Sequence, residues 1–371
     1  MHPDTRAQLR RDSVPLFNAN RMKIGIFGCN VSNGGTISKA PTSHRPTFAH
    51  NLLIAQTADR LGLEFLVPFG RWKSFGGETE YNGDCLEVYT WAAALAARTE
   101  KIMLFATSHV STMHPILAAK QGATIDHISN GRWGLNVVCG WYAAEMEMFG
   151  ERQSPHDDRY ARAGEWVEVV KRLWCENHFD HVGEHYRVTD GYLEPKPVQQ
   201  PYPVIVNAGV SAAGRDFSAR HVDFNFITMD SVESAASIAA DVRQRAHGYH
   251  REIGVLGYGF ILVRDTEREA RAAFNAIIEA GDWGAARNIM RVLGMESDSF
   301  NAQIEQFARR FVAGWGGYLM VGTPESVTAQ FVALARAGVE GMALVWQDYA
   351  QELPYFGERV LPLMRQAGLR V

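Results

Sequence analysis

Short apolar runs alternate along this chain with longer segments whose apolar positions recur at helical spacing. The runs beginning at Lys23, Leu63, Ile102, Trp133, Pro203, Val222, Gly254 and Gly341 predict strands, most bounded by glycine, proline, asparagine or threonine. Between them lie predicted helices. Phe48 to Arg60 places Leu52, Leu53, Ala55, Ala58 and Leu61 on one face, and Pro115 opens another helix at a position that proline tolerates. Further helices are predicted over Glu87–Arg98, Asp158–Trp174, Ser211–Arg220, Ser231–Ala246, Thr266–Ala280, Pro324–Ala337 and Pro354–Arg365. Strands alternating with helices of this length imply βαβ units and a parallel sheet. Nearly eight such repeats predict an α/β fold, a closed (β/α)8 TIM barrel with insertions. No linker rich in Pro, Gly or Ser divides the chain. A polar arm over residues 1–21 is expected, followed by one barrel domain over residues 22–371.

Composition adds little beyond a class. The 371 residues are 46% hydrophobic and 21% charged, the balance of an ordinary globular protein. A formal net charge of -4 gives no electrostatic reason to expect nucleic acid or an anionic membrane as partner. Cys29, Cys85, Cys139 and Cys175 are scattered without a CxxC pair, which suits a reducing compartment. No apolar run approaches the ~20 residues needed to span a bilayer. A cytoplasmic enzyme is the expectation, with no metal.

Absent motifs narrow the chemistry. The stretch nearest a dinucleotide loop, Gly314-Trp315-Gly316-Gly317, has Leu319 where the last glycine belongs, and no phosphate-binding P-loop appears. H-E-x-x-H and G-x-S-x-G are missing too. His109 and His114 lie five apart, off the one-face spacing of a ligand pair, so rim or surface roles suit them.

A barrel of this kind works at the C-terminal ends of its strands. Thr107 and Ser108 are expected just past the strand Ile102–Ala106, and Asn136 sits within an apolar one. Two roles fit Asn136: a structural bond to a neighbouring strand, or a face toward a polar ligand. Glu145 is either a solvated charge or an acceptor for a ligand, and Arg159-Tyr160 either a surface pair or a holder of phosphate or ring. Asn207 to Arg215 runs from strand to helix through small residues, with Ser211 placed as N-cap. Exposed N–H groups and the helix dipole there favour an anion.

Together these segments resemble the bacterial luciferase-like family of flavin-dependent monooxygenases. The stretches that carry the likeness are Met22–Phe27, Phe75–Tyr81, Ala123–Asp126, Phe217–Arg220, Phe356–Arg359 and above all Gly131-Arg132 through Asn136, Val138, Gly140 and Trp141. Within the family the look is closest to the pyrimidine monooxygenases of uracil degradation, then the dimethyl sulfone monooxygenases. The resemblance implies a luciferase-like barrel binding FMN as reduced FMNH2, supplied by a separate NAD(P)H:flavin reductase, with O2 as co-substrate. It implies that Gly70, Arg71, Asn136, Glu145, Arg159, Tyr160 and Ser211 contact FMN, with Arg159 and Ser211 on the phosphate. Thr107 and Asn136 would hold oxygen beside the flavin as the catalytic pair, acting through a flavin–oxygen adduct. At Gly70 and Arg71 the pyrimidine enzymes have isoleucine and lysine, a departure near ring and substrate.

The implied substrate is a small nitrogen heterocycle, with an organosulfur compound as alternative. Phe69, Trp72, Phe75 and Trp141 are expected to sandwich a flat ring or to pack in the core. A deazaflavin-dependent oxidoreductase and a non-catalytic flavin-binding protein are the other readings, and a homo-oligomer is expected.

Overall fold

The computed structural model describes residues 14–153, 155–294 and 302–371, so residues 1–13 of the expected arm lie outside the described residues. Among the described residues, parallel strands with surrounding helices form the expected barrel. The ring order is β1 (Lys23–Phe27), β2 (Phe65–Val67), β3 (Met103–His109), β4 (Trp133–Val138), β7 (Val204–Asn207), β8 (Phe224–Ile227), β9 (Gly254–Val263) and β11 (Gly341–Val345). An added strand, β10 (Tyr318–Gly322), pairs with the later part of β9, and β5 (Phe179–Val182) with β6 (Arg187–Gly191) forms a separate antiparallel hairpin. Neither β10 nor the hairpin was legible as a strand, and the helices Trp283–Val292 and Ala302–Gly314 are further insertions.

The chain divides into two compact units. Among the described residues, one comprises 14–18, 87–226 and 241–254, the other 19–86, 227–240 and 255–371.

In the first unit, β3, β4 and β7 lie in parallel register, with Thr107 opposite Asn136 and Asn136 opposite Val206. The helix Pro115–Ser129 starts where proline was read to start it, capped by His114, whose ring nitrogen accepts from Ile116 N. That gives His114 the bland role. Asn130 ends the helix in the left-handed region at φ 54, which asparagine tolerates better than most residues. The described end of the arm is not solvated: Val14 and Leu16 are buried, and the Phe17 ring lies 5.4 Å from Phe224.

In the second unit, β1 pairs with β2 on one side and β11 on the other, and β11 pairs with β9. The helix Phe48–Leu61 begins at Thr47, whose hydroxyl accepts from His50 N, and ends at Gly62 with φ 71. Pro354 does not open a helix as expected. It lies inside Tyr349–Arg359, whose N-cap is Asp348, and a second short helix, Leu361–Gln366, follows with Pro362 in its first turn. Tyr349 and Leu353 are buried in the first turns of that helix, so the apolar face extends back past the proline.

Candidate functional site

Alternation along β4 decides where Asn136 points. Trp133 meets Trp174 edge-on at 6.0 Å and fills the space beside Gly122 on the neighbouring helix, so positions 133, 135 and 137 look toward the helices. Gly134 and Asn136 therefore face inward, and the Phe105 ring occupies the space over Gly134. Asn136 Nδ2 donates to Thr107 Oγ1 at 3.1 Å, and both residues are only 6% exposed. Strand β3 runs on to His109, so Thr107 and Ser108 stand within it rather than after it, held by pairing with Asn136 and Val137.

Asn136 is half satisfied. Its Oδ1 is buried and accepts no hydrogen bond, which by itself costs about 1–3 kcal/mol. One end of the amide bonds the neighbouring strand and the other accepts nothing, as is also true of Asn225 Oδ1.

The loop after β7 builds a second feature. Ser211 caps the helix Ala212–His221, its Oγ accepting from Gly214 N at 3.1 Å. The turn is closed tightly: a Cβ on Gly209 would stand 2.6 Å from Gly214 Cα, and one on Gly214 2.6 Å from the Tyr160 hydroxyl. Tyr160 hydrogen-bonds with the Ser211 side chain, and burial raises its phenol above the ordinary range. Arg159, beside Tyr160 on the helix His156–Cys175, donates from Nη1 to the Gly140 carbonyl, while its buried Nε has no acceptor. A guanidinium N–H, a phenol and the first-turn amides of a helix are the donors that an anionic group such as phosphate needs.

A buried amide network that the sequence reading overlooked holds this turn. Asn207 Oδ1 accepts from Gly209 N at 2.7 Å and from Ser218 Oγ at 3.0 Å, and its Nδ2 donates to the Val137 carbonyl at 2.7 Å. Asn225, fully buried, donates to the Asn207 carbonyl at 3.0 Å and to Ser218 Oγ at 2.9 Å. The signal was available: Asn225 sits between Phe224 and Phe226, the same amide-in-apolar-strand pattern that marked Asn136.

Glu145 lies on the short helix Ala143–Met148 and is 4% exposed, so the solvated-charge alternative falls. Trp141 stacks on Tyr142 with centroids 5.8 Å apart. Thus Thr107 with Asn136, and Tyr160 with Ser211 beside Arg159, are brought together within the first unit.

Gly70 and Arg71 belong to the second unit. Gly70 is buried, and the Arg71 guanidinium lies 5.2 Å from the Phe75 ring centroid, a cation–π contact. Aromatic rings gather in this unit: Phe27 meets Phe69 at 4.5 Å and Tyr258 at 5.1 Å, and Trp315 lies 5.5 Å from Phe69 and 5.4 Å from Phe75. Trp72, expected among them, is 47% exposed.

The same unit has a cavity of about 510 Å³ past the ends of β9 and β11, lined by Arg264, Asp265, Glu269, Asp348 and Glu352 among others. Arg264 pairs with Glu352 at 2.8 Å, and burial raises the Glu352 carboxyl above its ordinary range. Carboxylates outnumber cations in that lining, which suits no phosphate. Among the described residues, no group of three or more His, Cys, Asp or Glu is arranged to hold a metal, and no helix is long and apolar enough to cross a membrane.

Comparison with known proteins agrees with the fold. The sequence profile of the luciferase-like monooxygenases matches residues 22–341, and the chain belongs to that family. It is 32% identical over 365 residues to the FMNH2-dependent dimethylsulfone monooxygenase of Pseudomonas putida, covering 93% of this chain and 96% of that one. It is 33% identical over 353 residues to a pyrimidine monooxygenase of Acinetobacter baylyi, covering 92% and 95%. Among solved structures, a riboflavin lyase with modified FMN and riboflavin superposes with a TM-score of 0.86 at 23% identity, covering 95% of this chain and 93% of that one, a likeness of fold. The chain is an enzyme of the monooxygenase class.

Proposed function

We propose that this chain is the oxygenase of a two-component system: it takes reduced FMN from a separate flavin reductase and uses O2 to oxygenate a small nitrogen heterocycle. Residues 22–371 would act as one barrel domain. The observation that carries the reading is the buried Asn136–Thr107 pair with a bare amide oxygen. A reduced isoalloxazine presents ring N–H donors of the kind that Asn136 Oδ1 lacks, so the residues present fit the cofactor.

When bound, the reduced flavin supplies the electrons that O2 needs, since triplet dioxygen reacts sluggishly with closed-shell molecules. The protein's part is placement. Arg159, Tyr160 and Ser211 would hold the phosphate, with the Asn207–Asn225–Ser218 network keeping their turn rigid. Asn136 would orient the ring through Oδ1, and its N–H with the Thr107 hydroxyl would hold oxygen beside it. Glu145, buried on the helix Ala143–Met148, would accept a ligand donor.

Similarity to the pyrimidine enzymes supports the heterocycle. The dimethylsulfone relative is equally similar and favours an organosulfur substrate as the second reading. The test supplies FMN, NADH, a flavin reductase and ¹⁸O2 with uracil or dimethyl sulfone, and reads label in the product by mass spectrometry. Label in a ring-derived product supports the heterocycle, and label only with the sulfone selects the alternative. No labelled product from either, with FMN bound, moves the chain toward a non-catalytic flavoprotein. A preference for deazaflavin over FMN in titration removes the oxygen chemistry.

A further inference from the structure

Three phenols of the second unit lie deep in it, and they differ in one respect. Tyr81 Oη donates to the Gly34 carbonyl at 2.9 Å and accepts from Trp315 Nε1 at 2.6 Å. Tyr349 Oη donates to the Phe27 carbonyl at 2.7 Å. The Tyr258 hydroxyl is buried and has no hydrogen-bond partner. An O–H left bare in a fold that pairs its neighbours is a group awaiting something.

Its surroundings are built. Gly257 backs onto Met342, so alternation along β9 turns Tyr258 to the face it shares with Phe27. Gly317 leaves the room its ring needs, since a Cβ there would stand 2.8 Å from it, and Gly28 does the same for Phe69 at 2.3 Å. Trp315 holds a left-handed backbone, φ 54, which is strained for a bulky residue. Its bond to Tyr81 fixes the indole there. Phe27, Tyr258 and Trp315 are half-buried, so part of each ring stays open, while Phe69 is 6% exposed.

We propose that Tyr258 determines specificity: its hydroxyl donates to a carbonyl or ring nitrogen of a planar conjugated substrate whose face lies against Phe27, Phe69 and Trp315. Burial holds the phenol well above its ordinary pKa, so it stays a donor across the physiological range. Rings offer a flat molecule stacking that a small non-planar acceptor cannot use. This rests on the reading that a substrate lies against these rings, and it commits the substrate to a flat heteroaromatic or lactam.

The experiment is calorimetric titration of FMN-loaded protein, wild type and Tyr258→Phe, without reductant. The probes are quinolin-2-one (flat, with an acceptor), naphthalene (flat, without one) and dimethyl sulfone (an acceptor, not flat). We expect quinolin-2-one to bind tightest, to weaken about five- to tenfold in the variant, and naphthalene to be unaffected. Removing a bare hydroxyl should leave the thermal midpoint unchanged or raised. Equal quinolin-2-one affinity in both proteins, dimethyl sulfone binding at least as tightly as the rings, or a lowered midpoint in Tyr258→Phe would overturn the assignment. Because binding is read without turnover, a Tyr258-dependent ligand that is never oxygenated would sink the proposed reaction and leave this inference standing.

Discussion

The first unit buries polar residues within its strands and the second gathers aromatic ones, although both grow from the same βα repeat. In the first, Thr107, Asn136, Asn207 and Asn225 replace apolar residues inside strands, and each is buried. In the second, Phe27, Phe69, Tyr258 and Trp315 gather instead, and the nearby cavity is acidic. A buried amide is costly unless something pairs it, whereas a ring is stabilised by burial whatever it faces. On the proposed function, the polar unit would take one kind of guest with fixed donors and acceptors. On the proposal above, the aromatic unit would set only flatness and one hydrogen bond.

The largest test breaks the polar side. Asn136→Ala removes both the donor to Thr107 and the bare acceptor, and product formation should fall by about a hundredfold or more, the scale of losing a placed hydrogen-bonding group. The fold should survive, since the wild-type oxygen gains nothing from the protein. Oxygenation at near wild-type rate in a steady-state assay would remove Asn136 from the chemistry.

Acid should act on both units alike. His44 in the second unit keeps Nε2 against the Val31 carbonyl at 2.8 Å, and burial lowers its pKa to about 4. His221 in the first unit is lowered to about 4 as well, by burial and then by Lys171, Arg251 and Arg220. An unfolded histidine titrates near ~6.5, so below that pH the unfolded chain takes up protons that the fold refuses. The stability from each neutral ring is complete above about pH 6.5 and is lost as pH falls toward 4. The full loss is about 3 kcal/mol per ring as an upper figure. Denaturant midpoints between pH 7 and 4.5 should drop in wild type and flatten in His44→Gln and in His221→Gln. Parallel curves for either variant would show that its ring is not refused a proton.

Much of this was legible in the sequence. Apolar runs and helical periodicity outlined the ring, because a parallel barrel strand is buried on both faces and reads as a continuous run. Ser211 was placed as N-cap from its small-residue context, and it is one. What failed was length and partnership. Strand β3 outran its apolar run because Thr107, Ser108 and His109 still pair with β4, which no local pattern reports. The short helix-flanked strand β10 and the hairpin β5–β6 carry mixed, half-exposed residues, so their periodicity is weak. Asn225 carried the same signal as Asn136, but its partners are set by tertiary contact alone.

That network supplies a smaller effect. Asn225→Ala strips donors from the Asn207 carbonyl and Ser218 Oγ, so unfolding free energy should fall by about 2–3 kcal/mol. FMN affinity should fall with it, because the Gly209–Gly214 turn loses its support. An unchanged denaturation midpoint would show the turn to be held by other means.

The smallest effect divides two roles of one serine. Ser211 Oγ caps a helix and hydrogen-bonds with Tyr160, so Ser211→Ala should cost about 1 kcal/mol of stability from the cap alone, whatever binds there. Aspartate caps as well as serine and is favoured at a helix N-terminus, so Ser211→Asp should restore that stability. It also puts a negative charge where the phosphate of FMN is proposed to lie. If the site serves phosphate, the aspartate variant must bind FMN more weakly than the alanine variant while being the more stable of the two. That inversion separates an anion site from a helix cap, since a cap alone makes both properties rise together. Flavin fluorescence titration beside thermal unfolding reads both, and FMN bound by Ser211→Asp as tightly as by wild type would move the phosphate away from this turn.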